Sequence, residues 1–353
     1  MTGAERLLAA CRSEPVDATP VWFMRQSGGS LAHYRALRER HGVMAIARDP
    51  ALAAEVAVEA QDAIGSDGAV LFADIMLPAQ AMGMDLELTA GGPRIERPIR
   101  SAAEVAGLRT PDVAADLGFV PEAARRVRAG VGDRAAVIGI AGGPFTVAAY
   151  LVEGGPSRDL LTARRFALAE PAAWELLLER ITELTCRYVT AQVEAGAQVV
   201  QLFDSWAGVL SPADHEAWAG PWARRVLRAI RAAGAPAIHF VAVGGVLLER
   251  LTVDADVVAV DTALPLAAAR ARLGDVAVQG NLDPARVGAD WPTVVRAVDE
   301  LIAANGGQMG HIANTGHAVP PDTATTRLAD IVTAIHDRSA AGADRRPPIG
   351  VPA

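Results

Sequence analysis

An α/β chain closed into a single (β/α)8 barrel is the architecture this sequence predicts, and three observations predict it. Short aliphatic or β-branched runs alternate with helical patterns along most of the 353 residues, the signature of βα units and a parallel sheet. Eight such runs can be counted, the number that closes a barrel. The residues just past each run are polar, charged or glycine, and in a parallel barrel those ends converge on the face that carries the active site.

The elements follow in order. The first run, Pro20–Met24, leads into Arg25 and a glycine turn; the second, Gly68–Ala73, ends at Asp74. An insert over 75–133 precedes the third run and carries a hairpin, Leu86–Leu88 with Ile95–Ile99, joined by Gly91-Gly92-Pro93. The remaining runs are Ala136–Ile140, Gln198–Phe203, Ala237–Val241, Val257–Val260, Val276–Gln279 and Gly310–Ala313. Past them stand Gly142-Gly143-Pro144, Asp204-Ser205, Val243-Gly244-Gly245, Asp261, Asn281-Leu282-Asp283 and Asn314 to His317. Helical patterns cover Arg158–Ala195 (as two helices), Pro212–Ala233, Leu264–Leu273, Trp291–Asn305 and Thr323–Ser339; Ser211-Pro212 is a start signal and Asn305-Gly306 a stop. The barrel is expected to occupy 1–340 as one domain, leaving 341–353, rich in Ala, Gly and Pro, as a loose tail.

Composition excludes several chemistries. All 33 basic residues are arginine, so no lysine can form a Schiff base or reach a nucleotide phosphate from a P-loop. Cys11 and Cys186 make neither a disulfide framework nor a Cys-rich zinc site, and read as thiols of a reduced cytoplasm. A formal net charge of −8 disfavours nucleic acid and anionic membrane surfaces as partners. No secretory signal pattern opens the chain and no apolar stretch is long enough to span a bilayer, so a cytoplasmic protein with a small-molecule substrate is expected.

Most polar residues at strand ends are helix caps when taken singly. Arginine and histidine are poor caps, so Arg25 and His317 point to an anion-binding site. Asp74, set among Leu71-Phe72-Ala73 and Ile75-Met76, is either salt-bridged to Arg25 or kept for a cationic or N–H-donating ligand. Tyr150 opens a loop that its hydroxyl could anchor, Ser205 could cap a helix, and His239 reads as a satisfied strand histidine.

In order along nearly the whole chain, Pro20-Val-Trp-Phe-Met-Arg-Gln, Phe72-Ala-Asp-Ile, Gly139-Ile-Ala-Gly-Gly-Pro-Phe-Thr, Tyr150-Leu-Val-Glu-Gly-Gly, Gln201-Leu-Phe-Asp-Ser-Trp-Ala-Gly, Gln279-Gly-Asn-Leu-Asp-Pro and Asn314-Thr-Gly-His317 resemble the uroporphyrinogen decarboxylase family. The resemblance implies a (β/α)8 barrel, a homodimer, no metal or organic cofactor, and loss of carbon dioxide from the acetate side chains of uroporphyrinogen III to give coproporphyrinogen III. It implies Asp74, Arg25 and Tyr150 as the catalytic set. Asp74 would accept the pyrrole N–H groups and stabilise the ring cation, and Arg25 would hold or protonate the reacting acetate region, with Tyr150 holding a substrate carboxylate. Gln26, Phe203, Ser205 and His317 are implied as substrate-binding residues.

The family pattern is broken at several strand ends. Gly29 replaces the second arginine of Arg-Gln-Ala-Gly-Arg, and Val241-Ala-Val-Gly-Gly replaces Gly-x-Gly-Thr-Gly. Thr262 stands for Trp after Asp261, Ala318 stands for Gly after His317, and Glu59-Ala60 replaces Gln-Pro. Losing one charge-assisted carboxylate contact costs about 1.5–3 kcal/mol. Three readings therefore stay open: the family reaction itself, a paralogue decarboxylating a smaller or less acidic carboxylate in specialised metabolism, and a non-catalytic tetrapyrrole-binding protein. The related corrinoid-dependent methyltransferases hold zinc through His and Cys, and neither cysteine here falls at a strand end.

Overall fold

The computed structural model describes residues 1–89 and 92–343. In chain order its strands are β1 (Gly68–Val70), β2 (Leu86–Thr89), β3 (Gly92–Ile95), β4 (Ala136–Gly142), β5 (Val199–Phe203), β6 (Ala237–Phe240), β7 (Val257–Ala259), β8 (Ala277–Gln279) and β9 (His311–Ile312). β2 and β3 form an antiparallel hairpin; the other seven make one parallel sheet in sequence order, curled into the predicted barrel.

The eighth stave is the expected first strand, reduced in the structure to a single bridge between Val21 and Ala313. Pro20 has no N–H to donate, and the residues after it find side-chain partners: Val21 N donates to Asp67 Oδ2 (2.7 Å), Phe23 N to Gln26 Oε1 (2.9 Å) and Met24 N to Asn314 Oδ1 (3.2 Å). Closure is kept by Trp22 N to Ala313 O on one side and Asp67 N to Val21 O on the other. Asp67 is the joint. It also binds Arg6 Nη1 (2.6 Å) from the N-terminal helix Gly3–Cys11 and His336 Nε2 (2.8 Å) from the final helix Thr325–Ala343.

Inward-facing residues of alternate phase fill the barrel with Trp22, Met24, Ile138, Val199, Ile238 and Ile312, and the N-terminal helix plugs its lower end with Leu7, Ala10 and Cys11. Two buried polar rungs cross this interior, from Trp22 Nε1 to Gln279 Oε1 (2.9 Å) and from Gln279 Nε2 to Gln201 Oε1 (2.8 Å). Outward residues of the same strands pack on the helices as a second, larger apolar layer.

Several boundaries move. The second hairpin strand is Gly92–Ile95, not Ile95–Ile99, because Ile95 N and Ile99 N turn to the carbonyls of Gly154 and Leu151. Gly91 of the expected turn lies outside the described residues. Pro212–Ala233 is two helices, Pro212–Trp218 and Gly220–Ala232, broken before Gly220-Pro221. The final helix runs through Ala343, past the expected boundary at 340, and the rest of the tail lies outside the described residues. Trp291–Asn305 keeps its predicted bounds, with Gly306 left-handed after it. His239 faces the helix layer, buried, its Nδ1 3.4 Å from Leu251 O and its Nε2 without a partner.

Candidate active site

Arg25 leaves the first stave with φ 64, a left-handed conformation that costs a residue with a Cβ about 1–2 kcal/mol. That turn is held from below by Gln26. The Gln26 side chain is fully buried and spent on the protein: Oε1 accepts from Phe23 N, while Nε2 donates to Ser66 Oγ (3.1 Å) and Gly68 O (2.8 Å). Gln26 thus positions the Arg25 turn and has no free atom for the substrate contact expected of it. The Arg25 guanidinium is exposed and forms no hydrogen bond or ion pair among the described residues.

Asp74 is partly buried just past β1. Its Oδ1 accepts from Met76 N (2.8 Å), an Asx turn that leaves Oδ2 for the mouth of the barrel. Burial pushes the carboxyl pKa above its ordinary value; the Met76 N–H and the Arg25 charge pull it part of the way back. The salt bridge weighed from the sequence does not form, so cation and carboxylate share the mouth without closing on each other.

Tyr150 sits on a helix, Pro144–Glu153, and not at the start of a loop: Pro144 opens this helix and Gly154, left-handed at φ 94, ends it. The phenol pKa is raised by burial and by the Asp74 carboxylate, against lowering by the Trp206 indole and Arg25. The Trp206 ring meets Tyr150 edge to face, centroids 5.7 Å apart.

Ser205 does not cap a helix; its partly buried hydroxyl has no hydrogen bond among the described residues. Phe203 faces Phe240 in the β5–β6 register, ring centroids 5.8 Å apart, and Phe240 in turn meets His317 at 6.3 Å. His317 is exposed on the mouth. Partial desolvation and Arg25 lower its pKa, against a smaller opposite pull from Asp261, so the imidazole is neutral at pH 7.

The charge of Arg25 therefore acts on Asp74, Tyr150 and His317 together, and of the seven residues expected here all but Gln26 offer atoms to one mouth. Such a mouth can orient an anionic group at the guanidinium, accept N–H donors at Asp74 and stack a flat ring system near Phe203 and Phe240. Phe240, Trp206 and Asp261 were not among those seven. Phe240 was legible, since it stands on β6 in phase with Phe203; Trp206 faces Tyr150 only because of a turn that no local pattern announces. Asp261 holds Ala263 N (2.7 Å) through Oδ1 and leaves a buried Oδ2 unpartnered.

The broken rim motif has a steric reading. A Cβ on Gly29 would lie 2.7 Å from Pro321 Cβ and 3.2 Å from Pro321 O. Neither cysteine approaches the mouth: Cys11 is in the N-terminal helix and Cys186 on the outer helix Pro171–Glu194. Among the described residues no three His, Cys, Asp or Glu side chains converge as metal ligands would, and no helix is long and apolar enough to cross a membrane.

Residues 2–338 match the family model described as uroporphyrinogen decarboxylase. Among similar chains, a uroporphyrinogen decarboxylase from Roseiflexus sp. (strain RS-1) is 43% identical over 343 residues, 95% of this chain and 99% of that one. Another, from Myxococcus xanthus (strain DK1622), is 42% identical over 334 residues, 94% and 96% of the two chains. Among solved structures, a methyltransferase from Methanosarcina mazei superposes with TM-score 0.78 at 20% identity, over 96% of this chain and 99% of that one. A B12-independent methionine synthase from Shewanella sp. W3-18-1 gives 0.58 at 13% identity, over 87% and 91%. These two likenesses bear on the fold alone.

Proposed function

The chain belongs to the uroporphyrinogen decarboxylase family, and from that premise we propose that it converts uroporphyrinogen III to coproporphyrinogen III by removing carbon dioxide from the four acetate side chains, in porphyrin and heme biosynthesis. The observation that carries this reading is the open pair at the mouth: a guanidinium with no hydrogen-bond or ion-pair partner among the described residues, near a half-buried carboxylate with one oxygen left over.

The pyrrole supplies its own electron sink, so the reaction asks for no metal or organic cofactor. A proton adds to the ring α-carbon next to the one that bears the acetate side chain, giving an iminium-like cation delocalised onto the acetate-bearing carbon. The side-chain carboxylate then leaves as carbon dioxide, its bonding pair neutralising the ring as an exocyclic methylene; a second proton converts that methylene to methyl, and loss of the proton first added to the ring restores the aromatic pyrrole. Asp74 accepts the pyrrole N–H groups and stabilises the ring cation, an electrostatic contribution that a water-poor site strengthens. Arg25 orients the reacting acetate, while Tyr150, Ser205 and His317 hold carboxylates at the periphery. Phe203, with Phe240 behind it, forms the flat wall.

Anaerobic incubation with uroporphyrinogen III, with products separated by carboxyl number, tests the reading. Stepwise appearance of seven-, six-, five- and four-carboxyl products is expected; no turnover by well-folded protein sinks it. One observation favours a second reading, a less acidic substrate: the rim lacks a cation the family supplies, and Gly29 lies so close to Pro321 that a side chain there would have to displace it. In that case five-carboxyl or smaller acids are consumed and uroporphyrinogen is not. The family premise also carries a cytoplasmic homodimer, which sedimentation velocity checks.

A further inference from the structure

The residues of the mouth come from different strands, and something must fix their spacing. Thr146 and Tyr150 lie one turn apart on one face of the helix Pro144–Glu153. The N-cap of that helix is Gly143, which has no side chain to cap with, and the missing cap comes from the next strand: Asp204 Oδ1 accepts from Thr146 N (3.2 Å) and from Thr146 Oγ1 (2.7 Å). Gly143 is required for this, because a Cβ there would lie 2.3 Å from Asp204 Cγ. Thr146 Oγ1 then accepts from Trp206 N (3.0 Å), and the Trp206 ring rests against Tyr150. Asp204 and Thr146 are both fully buried, and Asp204 Oδ2 has no partner among the described residues.

We propose that Asp204 and Thr146 are positioning residues that lock the Ser205–Trp206 turn to the Tyr150 helix and so set the distance between two substrate-holding groups. A buried carboxylate is a costly choice for a mere helix cap, since one oxygen stays unsatisfied. Its return is a three-point connection, from strand to helix and back to the turn just past that strand, that an exposed N-cap serine cannot make. Neither residue reaches the mouth, so neither is catalytic in itself. The inference rests on the proposed function only for which molecule is held; the lock belongs to the fold.

The test compares Thr146→Val, which keeps the shape and removes the hydroxyl, with Thr146→Ser, which keeps the hydroxyl. Hydrogen exchange over 205–210 needs no substrate. Exchange should quicken at least tenfold in Thr146→Val and stay within twofold of wild type in Thr146→Ser. If wild type turns over uroporphyrinogen, Thr146→Val should lose at least tenfold in kcat/KM, with Thr146→Ser restoring most of it. Equal exchange in the two variants overturns the lock, whatever the substrate. Unchanged kcat/KM in Thr146→Val overturns its relevance to the site. Absence of wild-type turnover with the exchange difference intact counts against the proposed function and supports the lock. If Thr146→Val does not fold, Asp204→Ala, which removes the acceptor, is compared with Asp204→Asn, which keeps it: exchange should quicken at least tenfold in the first and not in the second, and equal exchange overturns the lock.

Discussion

Asp74→Asn separates the charge of this residue from its shape. The amide oxygen can still accept from Met76 N, so the 2.8 Å turn that orients the side chain survives and only the negative charge is lost. A unit charge acting on a cation about 4 Å away, at an effective dielectric of about 20, is worth about 4 kcal/mol as an upper bound. Solvent at the mouth reduces this, so kcat should fall roughly 10²–10³-fold. Stability should move the other way. An acid whose folded pKa is raised binds its proton more tightly in the folded state, so stability falls as pH rises from the ordinary carboxyl value through the raised one. Asparagine removes that penalty, and the variant should be at least as stable as wild type at pH 7. Single-turnover decarboxylation and urea unfolding on the same samples give both numbers. Activity within fivefold of wild type, or a clear loss of stability at pH 7, refutes the electrostatic role.

Other expectations are independent of this one. The acid limb of the kcat/KM profile should lie above an ordinary carboxyl pKa and move to still higher pH in Arg25→Gln, because the guanidinium holds Asp74 down; a shift to lower pH contradicts the coupling. Asp67→Ala leaves Arg6, Val21 N and His336 without their shared acceptor and should cost about 3–5 kcal/mol by urea denaturation. Arg270→Lys should lose about 1–3 kcal/mol, because one ammonium cannot serve Asn305 Oδ1, Val276 O and Met309 O together. Gly29→Arg alone should not gain the roughly tenfold or greater affinity of an added carboxylate contact, since Pro321 blocks its first carbon; a tenfold lower KM for uroporphyrinogen would show that the segment yields.

The barrel was legible because strand and helix differ in period, and seven of the eight apolar runs pair as parallel strands. The first run kept its place but not its ladder, since Pro20 and three side-chain acceptors replace backbone pairing, and no local pattern reports a partner such as Asp67 or Asn314. At the site, Arg25, Asp74 and His317 stood out because their chemistry fits poorly where they occur. Gln26 was expected as a ligand only through the family resemblance, and its side chain is taken up by Phe23 N, Ser66 Oγ and Gly68 O. Asp204 illustrates the opposite failure. An aspartate after a strand reads as the cap of its own helix, and it caps a neighbour's instead, which depends on Gly143 being next to it in space.

Asp67 gives the closure of the barrel a direction in time. Neighbouring strands from β1 to β9 pair in sequence order, so most of the wall can assemble by successive local steps as the chain lengthens. The last seam is different in kind: Val21 waits for Ala313, and Asp67 waits for His336, 269 residues downstream. Until then the floor of the cleft is open on the side between Val21 and Ala313, while the other side of the first stave is already tied to β1 through Asp67, Ser66 and Gly68. A chain without the final helix lacks the His336 contact, so the joint at Asp67 is complete only once that helix has docked.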